Sequence, residues 1–332
     1  MHILQNLVQM TGQRDHLRLE LSVLSTSLQL PFITNVRALE LLKLHDEYWM
    51  RPRTWLHEGQ LVSSSQDFSQ DSQCSPLRHL PHLHHCISEQ AHTAKHTLPT
   101  GEHVLWLPVW MNEQARACIE ITQSKPFSTH NLDVITGIFN VYRNYQNLLD
   151  YSERDALTGL LNRKTFDEHL LRFASHAESN ESQESPWLAV IDIDHFKQVN
   201  DRFGHLFGDE VLILVANLLR NAFGSRHRIF RFGGEEFVVL LPASNKETAF
   251  AALEAFRKMV EQHTFPQVGH VTVSVGFAGA KLCSPVEILG QADQALYYAK
   301  ENGRNRVCHF EDLQSEGLLN NSQVSHDDVE LF

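Results

Sequence analysis

The chain has no apolar run that reaches the roughly 18 residues needed to cross a bilayer. The longest candidate, VLILVANLL at 211–219, is short and is interrupted by Asn217. The N-terminal stretch MHILQNLVQMTGQRDHLRLEL also lacks the basic start and small-residue cleavage site of a secretion signal. We therefore expect no membrane span and a cytoplasmic location.

Cysteine is scarce, and basic charge does not dominate. The 332 residues include five cysteines and no CxxC pair, which favours a reducing compartment over a disulfide framework. The formal net charge of −12 argues against a partner that is a nucleic-acid polymer, because proteins that coat nucleic acid carry a basic face. No GxxxxGK[ST] motif is present, which excludes a P-loop nucleotide site.

The length indicates two domains, and the patterning changes along the chain. Residues 1–128 combine a helical start with strand-like runs, and 129–155 form a long helical pattern after the N-cap candidate Ser128. Helical and strand patterns then alternate over 156–311, which indicates an α/β or α+β fold with helices packed on a central sheet. The polar, acidic residues 312–332 predict a loose tail.

An apolar stripe follows the long helix at steps of three and four residues. Its members are Ile135, Ile138, Tyr142, Tyr145 and Leu149. Such a stripe covers the sheet of its own domain, or it pairs with its copy in a dimer as a short coiled coil. The two interpretations are compatible, and both stay open at this point.

Adjacent acids occupy the tip of a hydrophobic hairpin in RFGGEEFVVL, residues 231–240. Gly233 and Gly234 lie between two apolar runs and predict a two-residue turn, because glycine readily adopts the positive φ of such turns. Glu235 and Glu236 follow directly. The interpretation without a functional role is a surface turn followed by solvated acids.

A second pair of acids ends the apolar strand WLAVIDIDHF. Asp192 and Asp194 flank Ile193, and strand alternation predicts that both carboxylates lie on one face. Carboxylates that end a strand beside a hairpin tip with carboxylates outline a site for a hard cation, since Mg²⁺ prefers oxygen ligands and substrate phosphates.

Two basic residues and two helix starts complete the local signals. Lys300 and Arg304 lie four residues apart, a spacing that predicts one helix face and a pair able to neutralise phosphates. Alternatively they complement the dipole at a helix C-terminus that Gly303 ends. Capping boxes predict that helices begin after Ser244 and Ser284.

Together these residues resemble the GGDEF family, the diguanylate cyclases. The resemblance covers about 155–311 and implies a palm-like βαββαβ fold with a ferredoxin-type core. The matching segments are RDALTGLLNRKTF (154–166), AVIDIDHFKQVNDRFGHLFGDEVL (189–212), the hairpin RFGGEEF (231–237) in its Glu variant, VTVSVGFA (271–278) and QADQALYYAKENGRNRV (291–307).

The resemblance implies a role for each matching residue. Asp192 and the backbone carbonyl of Ile193 would hold Mg²⁺ (or Mn²⁺), and Glu236 would share metal binding. Glu235 would ligate the metal and act in catalysis by helping to deprotonate the ribose 3′-hydroxyl. The implied substrate contacts are Asn200 and Asp209 with guanine, and Phe196, Lys197, Lys300 and Arg304 with the phosphates.

The implied reaction condenses two GTP into cyclic di-GMP and two pyrophosphates. One domain would bind one GTP, so the active form would be a homodimer. The family suggests control of biofilm formation and motility. The alternative is a non-catalytic GGDEF receptor for GTP or cyclic di-GMP, which the intact acids and bases disfavour.

Many members carry an RxxD site for product inhibition upstream of the hairpin. Gly224 and His227 stand at the matching positions here. The resemblance therefore predicts weak feedback inhibition through this site.

Residues 1–128 resemble a GAF-type sensory domain less specifically, through two closing strands and the KPFSTHNLDVITGIF segment that leads into the long helix. A PAS-like or unassigned α/β sensor is the alternative, and the signal would be a small molecule or a metal. His92 and His96, in the histidine-rich segment 79–103, would form a usable zinc pair on one helix face. We favour a solvated loop, because no spacing supplies four ligands.

Overall fold

The computed structural model describes residues 2–44, 47–64, 73–111, 113–177, 184–224, 227–280 and 284–319. Contacts divide the chain into two units, 1–152 and 153–332, and each unit has its own sheet. None of the helices in these ranges is long and apolar enough to cross a membrane.

The first unit is built on an antiparallel sheet with the spatial order β3-β2-β1-β7-β6-β5, and the short β4 pairs with β2. Its elements are α1 (His2–Thr11), α2 (His16–Leu28), β1 (Ile33–Leu44), β2 (Glu47–His57), β3 (Gln60–Ser63), β4 (Ser75–Pro76), α3 (Pro81–Ser88), β5 (Ala94–Thr97), β6 (His103–Met111), β7 (Gln114–Gln123) and α4 (Thr129–Glu153).

Helices cover both faces of this sheet. Apolar residues of α1, α2 and α4 form one core with the sheet, and α3 packs on the opposite face. Ser128 caps α4 as predicted, because its Oγ accepts from the N–H of Asn131 at 3.2 Å. In the apolar stripe, Ile135, Ile138 and Tyr142 are buried in this core. The stripe therefore covers the sheet of its own unit, as the first interpretation predicted.

The histidine-rich segment is structured differently from our expectation. His96 lies in strand β5 and His92 precedes that strand, so the predicted shared helix face is wrong. The ring of His96 instead stacks on His82 at 4.0 Å between centroids. Among the described residues, no three His, Cys, Asp or Glu side chains form a group that could hold a metal ion.

The second unit confirms the predicted mixture of helices on a central sheet, whose strand order is β13-β12-β9-β11-β10-β8. Its elements are β8 (Leu161–Asn162), α5 (Arg163–Ala177), β9 (Ser185–Ile193), α6 (Phe196–Phe203), α7 (His205–Phe223), β10 (Arg228–Arg231), β11 (Glu236–Ser244), α8 (Lys246–Gln262), β12 (Val273–Gly279), α9 (Pro285–Glu301), β13 (Val307–His309) and α10 (Phe310–Ser315).

Strand β9 is central and is buried along its whole length, which explains its almost continuous apolar sequence. Helices α7 and α8 cover one face of the sheet, and α5 and α9 cover the other. Helix α9 lies very close to β12, since a Cβ built on Gly276 would be 2.1 Å from the backbone nitrogen of Leu296. This close approach of α9 requires glycine at position 276.

Two local expectations in the second unit had different outcomes. The capping box of Ser284 and Glu287 is formed at the start of α9. The box predicted at Ser244 is wrong, because Ser244 pairs with Ser185 at the end of β11 and Asn245 caps α8 instead. Packing also continues beyond residue 311, where Leu313 of α10 is buried, and residues 320–332 lie outside the described ranges.

Candidate active site

Two neighbouring strands bring the predicted acids together. Glu236, the first residue of β11, lies directly opposite Asp192 of β9 in the antiparallel ladder. Lys300 of α9 reaches across to Asp192, with 2.8 Å between Nζ and Oδ2. The N–H of Ile193 donates to the carbonyl of Glu235 at 3.3 Å. We call Asp192, Glu235 and Glu236 the carboxylate cluster.

The carboxylate cluster carries more negative charge than Lys300 neutralises. Burial raises the pKa of Asp192 to about 6; Lys300 opposes this shift, and Glu235 and Glu236 add to it. Burial also raises the pKa of Glu235; the charge of Glu236 raises it further, and the charge of Lys300 lowers it. Acids whose ionisation is disfavoured by burial and by each other are typical of sites that receive a cation.

A fourth acid, which the sequence analysis missed, lies near the cluster. Partial desolvation of the carboxyl and the charge of Glu236 raise the pKa of Asp293 on α9, while Lys300 lowers it. Asp293 precedes Lys300 by seven residues, which is two helical turns, so both lie along one side of α9. That spacing was the available signal in the sequence.

The hairpin tip is a three-residue loop, so the predicted two-residue turn is wrong. Phe232 donates its N–H to the carbonyl of Glu236 at 2.8 Å, and this bond closes a loop of Gly233, Gly234 and Glu235. Neither glycine has a positive φ. A Cβ on Gly233 would instead lie 2.7 Å from Oε2 of Glu236, so a larger residue here would displace the end of that carboxylate side chain.

Arg231 fixes this loop to the start of the second unit. Its guanidinium donates to the carbonyl of Gly234 at 2.8 Å and to Oδ1 of Asp155 at 3.0 Å. Burial alone would raise the pKa of Asp155, but hydrogen bonds from Thr158 and Arg231 lower it below its ordinary value. The segment RDALTGL thus positions the loop that carries Glu235, a link that no sequence spacing indicated.

Asp194 does not join the carboxylate cluster, although it lies on the same face of the sheet as Asp192, as predicted. Ser274 is paired with Asp192 in the ladder, and its hydroxyl reaches Asp194. Strand β9 ends at Ile193. The oxygens of Asp194 accept from the hydroxyls of Ser274 and Thr272, each at 2.7 Å, and from the N–H of Asn305 at 3.0 Å. These donors make Asp194 an anchor for the loop that follows α9.

Lys300 and Arg304 do not share a helix face, so that expectation is wrong as well. Helix α9 ends at Glu301, and the chain then passes through Gly303 with a φ of +106°. Arg304 has a left-handed φ of +62°, and its N–H donates to the carbonyl of Ala299 at 2.9 Å. Arg304 therefore belongs to the loop that Asp194 anchors.

The residues implied in guanine binding lie together at the junction of α6 and α7. His195, with a left-handed φ of +57°, turns the chain from the end of β9 into α6. A Cβ built on Gly208 would be 1.9 Å from Oδ1 of Asn200 and 3.3 Å from Phe196. Gly208 therefore makes room for the amide of Asn200 directly beside Asp209.

The remaining implied contacts are not assembled with the cluster. Lys197 is exposed on α6. Within the described ranges, no hydrogen bond or ion pair joins Lys197, Asp209 or Arg304 to the carboxylate cluster. The roles of these three residues toward a substrate stay predictions.

A divalent cation suits the donor set of the cluster. The described residues contain no group of three acidic, histidine or cysteine side chains that encloses an ion by itself. Mg²⁺ is commonly held by one or two carboxylates while substrate phosphates and waters complete its octahedron. Asp192 and the hairpin acids fit this arrangement.

The positions that correspond to RxxD offer neither a guanidinium nor a carboxylate. Gly224 ends α7 with a φ of +61°. His227 contacts the carbonyl of Phe223 through Nδ1 and packs against the Phe223 ring.

Known proteins resemble the second half of this chain. The family model described as "Diguanylate cyclase, GGDEF domain" matches residues 152–306. Similar curated proteins include diguanylate cyclase DgcZ of Escherichia coli, 37% identical over 49% of this chain and 55% of its own length. DgcP of Pseudomonas aeruginosa is 43% identical over 46% of this chain and 23% of its own length. A diguanylate cyclase of Vibrio cholerae is 35% identical over 54% of this chain and 56% of its own length.

Among solved structures, the coiled coil and GGDEF domain of DgcB from Caulobacter crescentus, in complex with c-di-GMP, is 34% identical. The match covers 54% of this chain and 97% of that one, with a TM-score of 0.49. The chain spans about half or less of the length of the curated relatives named above. Its second unit, over residues 152–306, belongs to the GGDEF family of diguanylate cyclase domains.

Proposed function

We propose that this chain is a diguanylate cyclase that condenses two GTP into cyclic di-GMP and releases two pyrophosphates. The observation that carries the proposal is the placement of Glu236 directly opposite Asp192, with Glu235 on the adjoining loop and Lys300 bound to Asp192. Phosphoryl transfer depends mainly on positioning and on the stabilisation of developing negative charge. A cation site beside a basic side chain provides both.

The residues of the carboxylate cluster and Ile193 have separate roles in this reaction. Asp192, the carbonyl of Ile193, Glu235 and Glu236 would hold the cation, which would be Mg²⁺ or Mn²⁺. When bound, such a cation neutralises the leaving pyrophosphate and eases ionisation of the attacking hydroxyl. Glu235 accepts the proton of the ribose 3′-hydroxyl. Its raised pKa, caused by burial and by Glu236, brings it closer to the pH at which a base exchanges protons.

Guanine recognition follows from hydrogen-bond chemistry. The carboxylate of Asp209 accepts from the N1–H and N2–H₂ of guanine, a donor pair that adenine does not have. Asn200 supplies an amide beside it, held in place against Gly208. Lys197, Lys300 and Arg304 bind the triphosphate, and Phe196 lies near the phosphates.

A homodimer supplies the second GTP. Each hydroxyl must attack the α-phosphate of the other nucleotide, so two domains have to face each other. Ile135, Ile138 and Tyr142 of the apolar stripe are buried in their own unit and are not available for pairing, and Tyr145 and Leu149 pack partly against the same core. Leu148 and Tyr151 on the last turns of α4 are exposed, at 58% and 73%, and we assign the helix contact of the dimer to this end.

The first unit is proposed to be a GAF-like sensory domain. Its support is a sheet with helices on both faces, together with the continuity of α4, which packs on that sheet and extends to Glu153. A signal bound by this unit would reach the cyclase through α4.

The test is to incubate the purified full chain with GTP and Mg²⁺ and to measure cyclic di-GMP and pyrophosphate. We expect product from the wild type and at least a hundredfold less from Glu235→Gln, the range expected when a positioned acid–base group is lost. Glu247→Gln, at an exposed position in the first turn of α8, is the matched control and should keep full activity. Binding of GTP without product, at concentrations where the chain is dimeric, would contradict the proposal and support the receptor function.

A further inference from the structure

The loop after α9 has an unusual backbone. Gly303, Arg304 and Asn305 have φ values of +106°, +62° and +47°, so three successive residues lie in the left-handed region. Arginine seldom adopts this region unless the surrounding structure holds it there, because Cβ then crowds the neighbouring carbonyl. The N–H of Arg304 binds the carbonyl of Ala299 at the end of α9, so the remaining support has to come from the side of Asn305.

Asn305 is tied to helix α8 by both ends of its side-chain amide. Its Oδ1 accepts from Nη1 of Arg257 at 2.7 Å, and its Nδ2 donates to Oε1 of Glu261 at 2.6 Å. Its backbone N–H donates to Oδ2 of Asp194 at 3.0 Å. Three hydrogen bonds thus fix the residue that directly follows Arg304.

Arg257 is itself buried and firmly held, with an exposed fraction of 8%. Its Nε and Nη2 donate to the two oxygens of Glu254 at 2.8 and 2.7 Å, and Nη1 also donates to Glu261 at 2.9 Å. A bidentate pair of this kind fixes the plane of a guanidinium. The pairing with Glu254 therefore directs Nη1 of Arg257 at Glu261 and Asn305.

We propose that Arg257 is a positioning residue for the triphosphate: through Asn305 it holds Arg304 in the left-handed conformation from which Arg304 binds phosphate. Arg257 acts from helix α8, on one face of the sheet, and touches no part of the nucleotide itself. The inference rests on the phosphate role of Arg304 in the proposed function, and it adds the residues that prepare Arg304 for that role.

Preorganisation gives this arrangement its effect on binding. An arginine loses side-chain and backbone freedom when it binds phosphate, and a loop that is already fixed in the bound conformation reduces this loss. Guanine is recognised elsewhere, at the junction of α6 and α7, by Asn200 and Asp209. Release of Asn305 should therefore weaken the binding of the phosphates and leave the binding of the base unchanged.

The experiment compares two ligands on the full chain in the presence of Mg²⁺. One is a GTP analogue with a methylene group between the α- and β-phosphates, which cannot release pyrophosphate. The other is guanosine, which keeps the base and the ribose but has no phosphate. Titration calorimetry gives the dissociation constant of the analogue, and competition with the analogue gives that of guanosine. We expect the wild type to bind the analogue more tightly.

Two variants release Asn305 in different ways. Arg257→Met removes the guanidinium, and Asn305→Gly removes the amide while still permitting the left-handed backbone. Each should weaken binding of the analogue about tenfold, the effect of losing one hydrogen bond to a charged group, and should leave the affinity for guanosine unchanged. Lys258→Met is the matched control, because Lys258 is also paired with Glu254 but has no hydrogen bond to Asn305 within the described ranges.

Coupling to Arg304 separates positioning from a merely structural role. Arg304→Ala alone should weaken binding of the analogue, and adding Asn305→Gly to it should cause little further loss. General damage to the fold would instead give additive losses, because it does not act through the side chain of Arg304.

Equal losses for the analogue and guanosine, or additive losses in this cycle, would overturn the proposal. So would a preference for the analogue that both variants leave intact. A wild type that binds guanosine as tightly as the analogue would contradict the phosphate roles in the proposed function, and this inference with them. Thermal unfolding shows whether each variant is folded, and Asn305→Gly keeps the test decisive if Arg257→Met does not fold.

Discussion

Replacing Asp192 by asparagine should stabilise the metal-free protein, whereas the same change two residues later should destabilise it. Asp192 is buried among other acids, and its pKa is raised from an ordinary 3.8 to about 6. Each pKa unit corresponds to about 1.4 kcal/mol, so the ionised carboxylate lowers the free energy of unfolding by about 3 kcal/mol. Asparagine at this position removes that penalty.

The effect of Asp192→Asn on the free energy of unfolding depends on pH in a defined way. Because the folded pKa lies above the unfolded one, the penalty is absent below about pH 4, where both states are protonated. It grows between pH 4 and 6 and is complete above about pH 6. Asp192→Asn should therefore add about 3 kcal/mol at pH 8 and almost nothing at pH 4. Lys300 loses its partner in this variant, but its side chain is 31% exposed and can be hydrated.

Asp194→Asn is the matched control with the opposite expectation. Both oxygens of Asp194 accept hydrogen bonds, from Ser274, Thr272 and the N–H of Asn305. An asparagine amide would turn a donor toward at least one of these donors. Loss of one buried hydrogen bond to a charged group should destabilise the second unit by about 2 kcal/mol at pH 8.

Urea unfolding in EDTA at pH 8 and pH 4 measures both effects. Trp187 is the only tryptophan of residues 153–332, so 5-fluorotryptophan labelling and ¹⁹F NMR follow the second unit alone. A loss of stability in Asp192→Asn at pH 8, or an equal gain at both pH values, would refute the electrostatic reasoning. The second result would point to improved packing, which does not depend on pH.

Three further predictions concern activity. Gly208→Ala should raise the KM for GTP about tenfold, because the added methyl group would displace the Asn200 amide from guanine. In an Asn200→Ala background the same change should cause little further loss. Additive losses in this double-mutant cycle would contradict the reasoning. Lys300→Met should raise the pKa of Asp192 further, so the acid limb of the pH–rate profile should move to higher pH, and an unmoved limb would contradict this. Cyclic di-GMP should inhibit only weakly through the RxxD positions; a sub-micromolar inhibition constant that is lost on mutation of Gly224 and His227 would refute this.

Local sequence patterns were sufficient to predict much of the structure of this protein. The alternation of strands and helices predicted the mixed fold of the second unit, and the start of α4 after Ser128 followed from its capping side chain. The acids at the ends of β9 and β11 were also apparent, because side-chain direction along a strand depends only on its period of two. Each of these features is decided within a few residues.

The tertiary structure decided which of these acids belong to the site. Asp192 and Asp194 look equivalent in the sequence, but Asp194 is occupied by donors 78, 80 and 111 residues away. Gly233 looked like a turn glycine, yet a larger residue there would displace the end of the Glu236 side chain. Arg304 does not share a helix face with Lys300, because the loop after α9 is fixed to Asp194 through the N–H of Asn305. Whether a carboxylate anchors a loop or stays available for a cation depends on its distant partners, and only the folded chain brings those partners together.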